Sequence, residues 1–531
     1  MPTDAANLPN YCRPEASKAA IDLQLVHDLL AGSRTMWEKA ATGTGGVPYI
    51  FKWSAETPQT YAIRSRCETL FEGTGRTLSA CTGMLFAKPP QVTWNASELA
   101  MTELWANMDA AGTAGPVLIK RFTDMSLRDG IGAIVVDHPA PPQAKDTPLG
   151  TITDEIAARL GLRPTWALYA RAQIINWRTA VVNNRKTLTM IVFAESAEVE
   201  DGLFGIRSVQ RYRVLRLVLT PDGYQATWKL YELKDGASGD SIEHYTDAGG
   251  GVFRNRGGTV AEVLPVAIAY AGRTEAPMCA TVPLLGVAFA NLAHWQQSTD
   301  LRFYRMVAAY PQPVVKGELM IDAATGKPMT LGLGPLVAVH VSEGGDYLWR
   351  EIQGTSMEQL ESGITEKMRQ MAAQGLAFLM SETRAAETAE GKRIDSVAQN
   401  ATLATAAQGI QDAVNLALEF TAWYLGIEKA GAPVLEINRD FEQLLMDAQT
   451  IQAYVALVAA GFPKREVLEA LVTGGRIKPD ANLTELEERW EENVQQTQMA
   501  AQALKDAEAA AQRNALMNGA PDSLGGMRPA A

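Results

Sequence analysis

Apolar positions divide the chain into a helical beginning, a β-rich middle and a long helical end. Leu23, Leu25, Val26, Leu29 and Leu30 crowd together in a helical arm over residues 1–45, which closes on the loop ATGTGGVPY. From 57 to 86, Tyr61, Leu70, Leu78 and Met84 recur with small residues between them. That pattern predicts helix up to Lys88-Pro89-Pro90, since the residue before a proline is pushed out of the helical region. A helix or helix pair follows over 101–128, interrupted near Gly112–Pro116. Ile131, Ile134, Val135 and Val136 then form a β-branched run between glycines and prolines, the signature of a buried strand.

Residues 164–275 read as β-rich. Trp166, Leu168, Ile174, Ile175, Trp177, Met190, Val192 and Phe193 fall in short runs. The run RYRVLRLVL (211–219) leads into Thr220-Pro221-Asp222-Gly223 and then Ala226, Trp228 and Leu230. This predicts a strand, a Pro-Asp-Gly turn and a second strand. The tract DAGGGVFRNRGG (247–258) reads as a glycine-rich loop.

Long helices return after 281. Pro283 suits a first helical turn, and Leu284, Val287, Phe289, Leu292, Trp295, Leu301, Tyr304 and Met306 mark a helix over 283–309. Residues 310–353 read as a compact β insert, with strands at 313–321 and 336–341 flanking a turn at Ala324–Lys327. A second helix runs from Ser356 to about Leu379, with Met357, Leu360, Ile364, Met368, Met371, Gly375 and Phe378 at helical spacing. A polar interruption covers 381–395. A third helix runs from Ser396 to about Leu425, and APVLEINRDFE (432–442) suggests a strand. From 447 to about 516 the chain reads as helical, broken at Gly461-Phe462-Pro463 and at 474–482, before a polar tail.

Two striped helices that flank a small β insert make a stalk or an intramolecular bundle, and pattern alone weighs these equally. Gly286, Ala288, Ala290, Ala293, Gly363, Ala372, Ala373 and Gly375 would let such helices pack closely against neighbouring copies.

Composition narrows the chemistry. At roughly 150 residues per domain, the chain allows about three to four domains. It has 531 residues, 47% apolar and 20% charged, which is ordinary for a folded protein. The net charge of −12 argues against tight nucleic-acid binding over the whole surface, which needs a dense basic stripe. Cys12, Cys67, Cys81 and Cys279 are widely spaced, with no CxxC pair, so reduced thiols are expected. The N-terminus lacks an apolar signal core, and the longest uncharged stretch, between Glu275 and Asp300, is too polar to span a membrane. Gly326-Lys327 precedes Pro328 and Gly391-Lys392 precedes Arg393, so neither completes a phosphate-binding loop. No metal or cofactor motif is found. His138 beside Asp137 could make an acid/base pair, against the plainer reading of a strand end. His294, within an apolar stretch, reads as a packed side chain. Glu485, Glu487, Glu488, Glu491 and Glu492 read as a solvated helix face, and the tryptophans as core residues.

Five segments resemble the portal, or head-to-tail connector, proteins of tailed bacteriophages. They are YAIRSRCETLFEGTGRTLSACTGMLFAKPP (61–90), DGIGAIVVDHP (129–139), IINWR (174–178), PLLGVAFANLAHWQQSTDLRFYRMVAAYPQPVVKG (283–317) and GLAFLMSETRAAETAE (375–390). The resemblance implies an α+β, mainly helical fold. Residues 1–280 and 396–446 would form an α/β wing, 281–309 and 354–380 a helical stem, and 310–353 a small β-containing clip. Residues 381–395 would form a tunnel loop and 447–531 a helical crown with a flexible tail. It further implies a ring, usually of twelve subunits, at one capsid vertex of the virion, assembled in the host cytoplasm. Such a ring passes double-stranded DNA during packaging and ejection, with no catalysis and no cofactor of its own. Its partners would be the terminase large subunit, then a tail adaptor or head-completion protein, and the major capsid protein, with no membrane. Tunnel-loop residues Glu382, Arg384, Glu387, Glu390, Lys392 and Arg393, near Asp395, would lie by the DNA. Lys316, Glu318, Lys327, Glu343, Asp346 and Arg350 would form the clip's docking surface. Two rival expectations stand beside this: a soluble multi-domain enzyme with a site in 130–275, using Asp137 and His138, and another head component such as a minor capsid protein.

Overall fold

The structure is a computed structural model. It describes residues 4–137, 162–309, 312–316, 346–350, 355–374, 389–439, 463–473 and 482–517. The chain divides into two compact units, Met1–Arg439 and Asp440–Ala531. The fold is α+β.

The first unit opens with α1 (Pro14–Ala31) and α2 (Ser33–Glu38), then α3 (Pro58–Arg64) and α4 (Gly73–Leu85). The helix expected over 57–86 is thus two helices. The backbone between them is held by partners far away in sequence instead of by helical bonds. The Glu68 carbonyl accepts from the indoles of Trp37 and Trp295, Leu70 N donates to Ser33 Oγ, and the Phe71 carbonyl accepts from Asn291 Nδ2.

Strand β1 (Gln91–Thr93), α5 (Glu98–Trp105), α6 (Gly115–Asp129) and β2 (Ile131–Asp137) follow, and then β3 (Thr165–Ala170). The expected break near Gly112–Pro116 separates α5 from α6. Next come β4 (Ile174–Val182), β5 (Arg185–Asp201), β6 (Gly205–Thr220), β7 (Gly223–Leu233), β8 (Tyr245–Val252), β9 (Val266–Tyr270) and the short β10 (Thr274–Ala276) and β11 (Cys279–Ala280).

Strand β2 is the centre of the core. It lies between β3 and β9 in an antiparallel sheet, and Ile131 through Val136 are all buried. Helix α6 covers it closely: a Cβ on Gly132 would lie 2.4 Å from Ser126 Oγ. A second sheet, β4-β5-β6-β7-β8, is antiparallel throughout. Asn183 and Asn184 both take positive φ in the two-residue turn between β4 and β5, a conformation asparagine tolerates. The first half of the glycine tract expected as a loop, 247–252, is strand β8. Its glycines make room for the Trp228 ring, which a Cβ on Gly249 or Gly251 would touch at 3.5 and 3.2 Å. The sheets are joined by Arg213 on β6, which pairs with Asp137 on β2 at 2.8 Å and with Glu195 on β5 at 2.6 Å.

The chain then forms α7 (Leu285–Ala308), β12 (Gln312–Lys316), β13 (Asp346–Arg350), α8 (Thr355–Gln374) and α9 (Ala389–Tyr424), and ends this unit with β14 (Val434–Glu436) paired to β1. Pro283 precedes the N-cap residue of α7, Leu284, so it stands outside the helix. The partner of β12 is 346–350, where Tyr347, Leu348 and Trp349 favour strand; 336–341, expected to take that role, lies outside the described residues. Helix α9 starts seven residues before the expected Ser396, because Ala389, Glu390, Lys392 and Arg393 are all good helix formers. It packs on β9 so closely that a Cβ on Gly409 would lie 2.5 Å from the Tyr270 carbonyl oxygen, and Thr421 Oγ1 accepts from the Trp166 indole at 2.9 Å. The second unit contains α10 (Lys464–Thr473) and α11 (Leu483–Met517). Val467 and Leu468 are buried there, while Lys464 pairs with Glu491 and Arg489 with Glu485.

Candidate functional site

The candidate site is the hairpin made by α7, β12, β13 and α8. Gly286 faces Gln374, Gly363 faces Gln297 and Arg305 pairs with Glu361, so the two helices run antiparallel. The β pair continues the hairpin beyond them, with Gln312 opposite Arg350 and Lys316 opposite Asp346. Glycine sets the spacing: a Cβ on Gly363 would lie 3.1 Å from Gln297 Oε1, and one on Gly286 lies 3.3 Å from Gln374 Oε1. These small residues therefore bring the two helices of one chain together, where the sequence suggested contact with neighbouring copies. Val287, Ala290 and Met371 form the seam, with Phe71 and Met368 against it.

The start of α7 is anchored in its own unit. Asn291 Oδ1 accepts from Thr74 N and Oγ1 at 2.9 and 3.0 Å, and Gln296 Nε2 donates to the Tyr49 carbonyl at 2.7 Å. Trp295 is fully buried. His294 is buried against Phe71, and burial lowers its pKa, so the packed-side-chain reading holds. A cleft of about 550 Å³ lies beside it, lined by Glu68, Glu72, Arg76, Arg302 and Arg305 among others.

The strongest anchor is Arg64, which sequence reasoning did not single out. Its guanidinium is buried, bonded to Glu56 at 2.8 and 2.9 Å, to Asp300 of α7 at 2.9 Å and to the Phe51 carbonyl at 2.6 Å. It also lies 4.0 Å from the centroid of the Trp53 ring. Burial opposes the charge of Arg64, but Glu56 and Asp300 outweigh it and raise its pKa. The Arg64 hydrogen bonds hold Glu56 below its ordinary value, while burial raises Asp300. No local spacing announces this cluster, because Asp300 is 236 residues away.

Beyond Asp300 the helix changes character. Leu301 and Phe303 remain buried, but Tyr304 and Met306 are exposed, as is Phe289 on the inner half. Tyr304 stacks on Trp53 at 6.1 Å, and Phe51 and Ile63 are exposed nearby in sequence.

Of the expected clip residues, Lys316 and Asp346 stand opposite one another on β12 and β13, and Arg350 ends β13. Glu318, Lys327 and Glu343 lie outside the described residues. Of the expected tunnel-loop residues, Glu390, Lys392 and Arg393 lie in the first turns of α9, as does Asp395, whereas Glu382, Arg384 and Glu387 lie outside the described residues. The rival acid/base pair is described at one member only. Asp137 is engaged by Arg213, and His138 lies outside the described residues. Among the described residues, no three His, Cys, Asp or Glu side chains group as metal ligands, and no helix is long and apolar enough to cross a membrane. All four cysteines are free; burial pushes the Cys81 thiol up to about 11.

A family model described as a domain of unknown function, DUF4055, matches residues 283–425, the segment that runs from the hairpin through α9. No curated protein matches the chain. Among solved structures, a chain from "Virion of native gene transfer agent (GTA) particle" is similar at 13% identity and a TM-score of 0.37, covering 83% of this chain and 98% of that one. A chain from "Neck of empty GTA particle computed with C6 symmetry" is similar at 14% identity and a TM-score of 0.36, covering 76% and 89%.

Proposed function

We propose that this chain is the subunit of a phage portal: a closed homo-oligomeric ring at a capsid vertex, through which double-stranded DNA passes during packaging and ejection. The observation that carries the reading is the hairpin. Its base is locked into the body by Arg64, Asn291 and Trp295, and its helices run antiparallel to a β pair at the far end. Yet Phe289, Tyr304 and Met306 remain exposed along α7. Exposed apolar side chains are covered at lowest cost by another copy, and a head-to-tail contact repeated around an axis can close a ring.

The charge suits a conduit. A chain with net charge −12 repels phosphate at long range, so DNA finds no deep adhesive well, and salt limits that repulsion to about 8–10 Å. Arg384, Lys392 and Arg393 would offer transient local attraction beside Glu382, Glu387 and Glu390. The β pair, with Lys316, Asp346 and Arg350, would dock the terminase and later a tail adaptor, and ATP would be hydrolysed by the motor alone. Mass photometry of the purified protein tests the ring. A large closed oligomer is expected; a population confined to monomers through tetramers contradicts it.

A further inference from the structure

The second sheet carries two complementary ends. Pairing of β5 with β6 runs out to Asp201 opposite Gly205. Strand β4 leaves β5 at Phe193, and β7 reaches only Arg211 on β6. From Ser196 and Gln210 outward, six residue pairs therefore form a two-stranded arm, about 20 Å long at ~3.4 Å per residue. Its tip is apolar and open: Leu203 is 92%, Phe204 99% and Ile206 70% exposed. Glu198, Glu200 and Asp201 surround the tip, exposed and in no ion pair among the described residues. The arm's one base, Arg207, is paired with Asp235 at 3.3 Å. The inner part of the arm is held by its own chain, with Val209 buried, but a two-stranded ribbon is marginal in water, and the three large apolar side chains exposed at its tip favour a covered state.

The opposite end of the same sheet, at the β4–β5 and β6–β7 turns, has the reverse character. Val181 is 72% and Leu219 67% exposed, with Val218 beside them. Arg178, Arg185, Lys186 and Arg216 are exposed around them and make no ion pair among the described residues; the one acid there is Asp222 in the β6–β7 turn.

We infer that the β5–β6 arm of one copy docks its Leu203–Phe204 tip onto the Val181–Leu219 end of a second copy of this chain, acids against bases. The two surfaces are different, so the contact is heterologous and propagates head to tail, the type that closes into rings. A self-complementary pairing is disfavoured, since tip on tip would set three acids against three acids. This contact deepens the ring reading and rests on it, and it lies on the sheet, apart from the hairpin.

The test uses the full chain and compares oligomer mass against concentration for four variants. The first is Phe204→Ser. The second reverses the acids (E198K, E200K, D201K), the third reverses the bases (R178E, R185E, K186E, R216E), and the fourth combines both reversals. All are surface positions, and unchanged melting by circular dichroism confirms folding. Each of the first three raises the half-assembly concentration about tenfold or more, and the combined reversal returns it to within about threefold of wild type. A wild-type ring whose assembly is unchanged by the first three, or a combined variant no better than the worse single reversal, overturns the contact and leaves the ring standing. A wild-type chain that stays monomeric at every concentration overturns both.

Discussion

Arg64 bonds to two carboxylates and a carbonyl while almost fully buried, so its removal leaves the buried Glu56 carboxylate without its counter-charge, held by the Trp53 backbone N–H at 3.2 Å. Breaking one side of a buried pair costs about 3–5 kcal/mol. Arg64→Met is therefore expected to lose stability of that order in denaturant melts, and a loss below about 1 kcal/mol, the scale of an exposed pair, contradicts the anchoring role. Glu56, together with the separate buried carboxylate Asp129, sets a pH response. Glu56 is depressed below 4.5, chiefly by the Arg64 hydrogen bonds. Asp129 is depressed below 3.8, since bonds to Arg128 and His27 outweigh its burial. A carboxylate depressed in the folded state contributes stability above its unfolded pKa and loses it as pH falls through the folded value. Asp300, raised by burial, works in the opposite sense. Melts from pH 7 to pH 3 are expected to lose stability below about pH 4.5, and Glu56→Gln is expected to flatten that loss. At this scale His294 was legible from its apolar neighbours. Arg64 was not, because charge and spacing in a helix say nothing of a partner in a distant helix.

Helix spacing is governed by positions without side chains. Alanine in place of glycine gains about 1 kcal/mol in a helix interior. At Gly409, however, the new Cβ would lie 2.5 Å from the Tyr270 carbonyl oxygen, so α9 must move off β9. Overpacking of this kind costs about 1–3 kcal/mol. Gly409→Ala is expected to lower the melting temperature, and a rise contradicts the close approach. The elements were legible where burial left a plain pattern, continuous along β2 and on one face of α7 and α8. They were missed where tertiary partners overrode local pattern. The Ser65–Glu72 backbone bonds to Trp37, Ser33 and α7, and the Gly249–Gly251 tract becomes strand because Trp228 needs the room.

Across the molecule, the sequence pattern predicted two striped helices around a β insert, but left open whether they form a stalk or an intramolecular bundle and what covers their flanks. The chain itself covers Val287, Ala290, Trp295, Leu301 and Phe303, and leaves Phe289, Tyr304 and Met306 open. In the proposed ring, reversing Arg384, Lys392 and Arg393 together is expected to shorten the packaged genome while rings form normally; full-length packaging contradicts a role in guiding DNA. The central claim is the closed ring itself, and a microscopy reconstruction of the purified full chain tests it most directly. A closed ring of subunits is predicted, each presenting its α7–α8 hairpin to its neighbours around an axial hole that admits a duplex. Isolated protomers, or an assembly with no through-channel, contradict it.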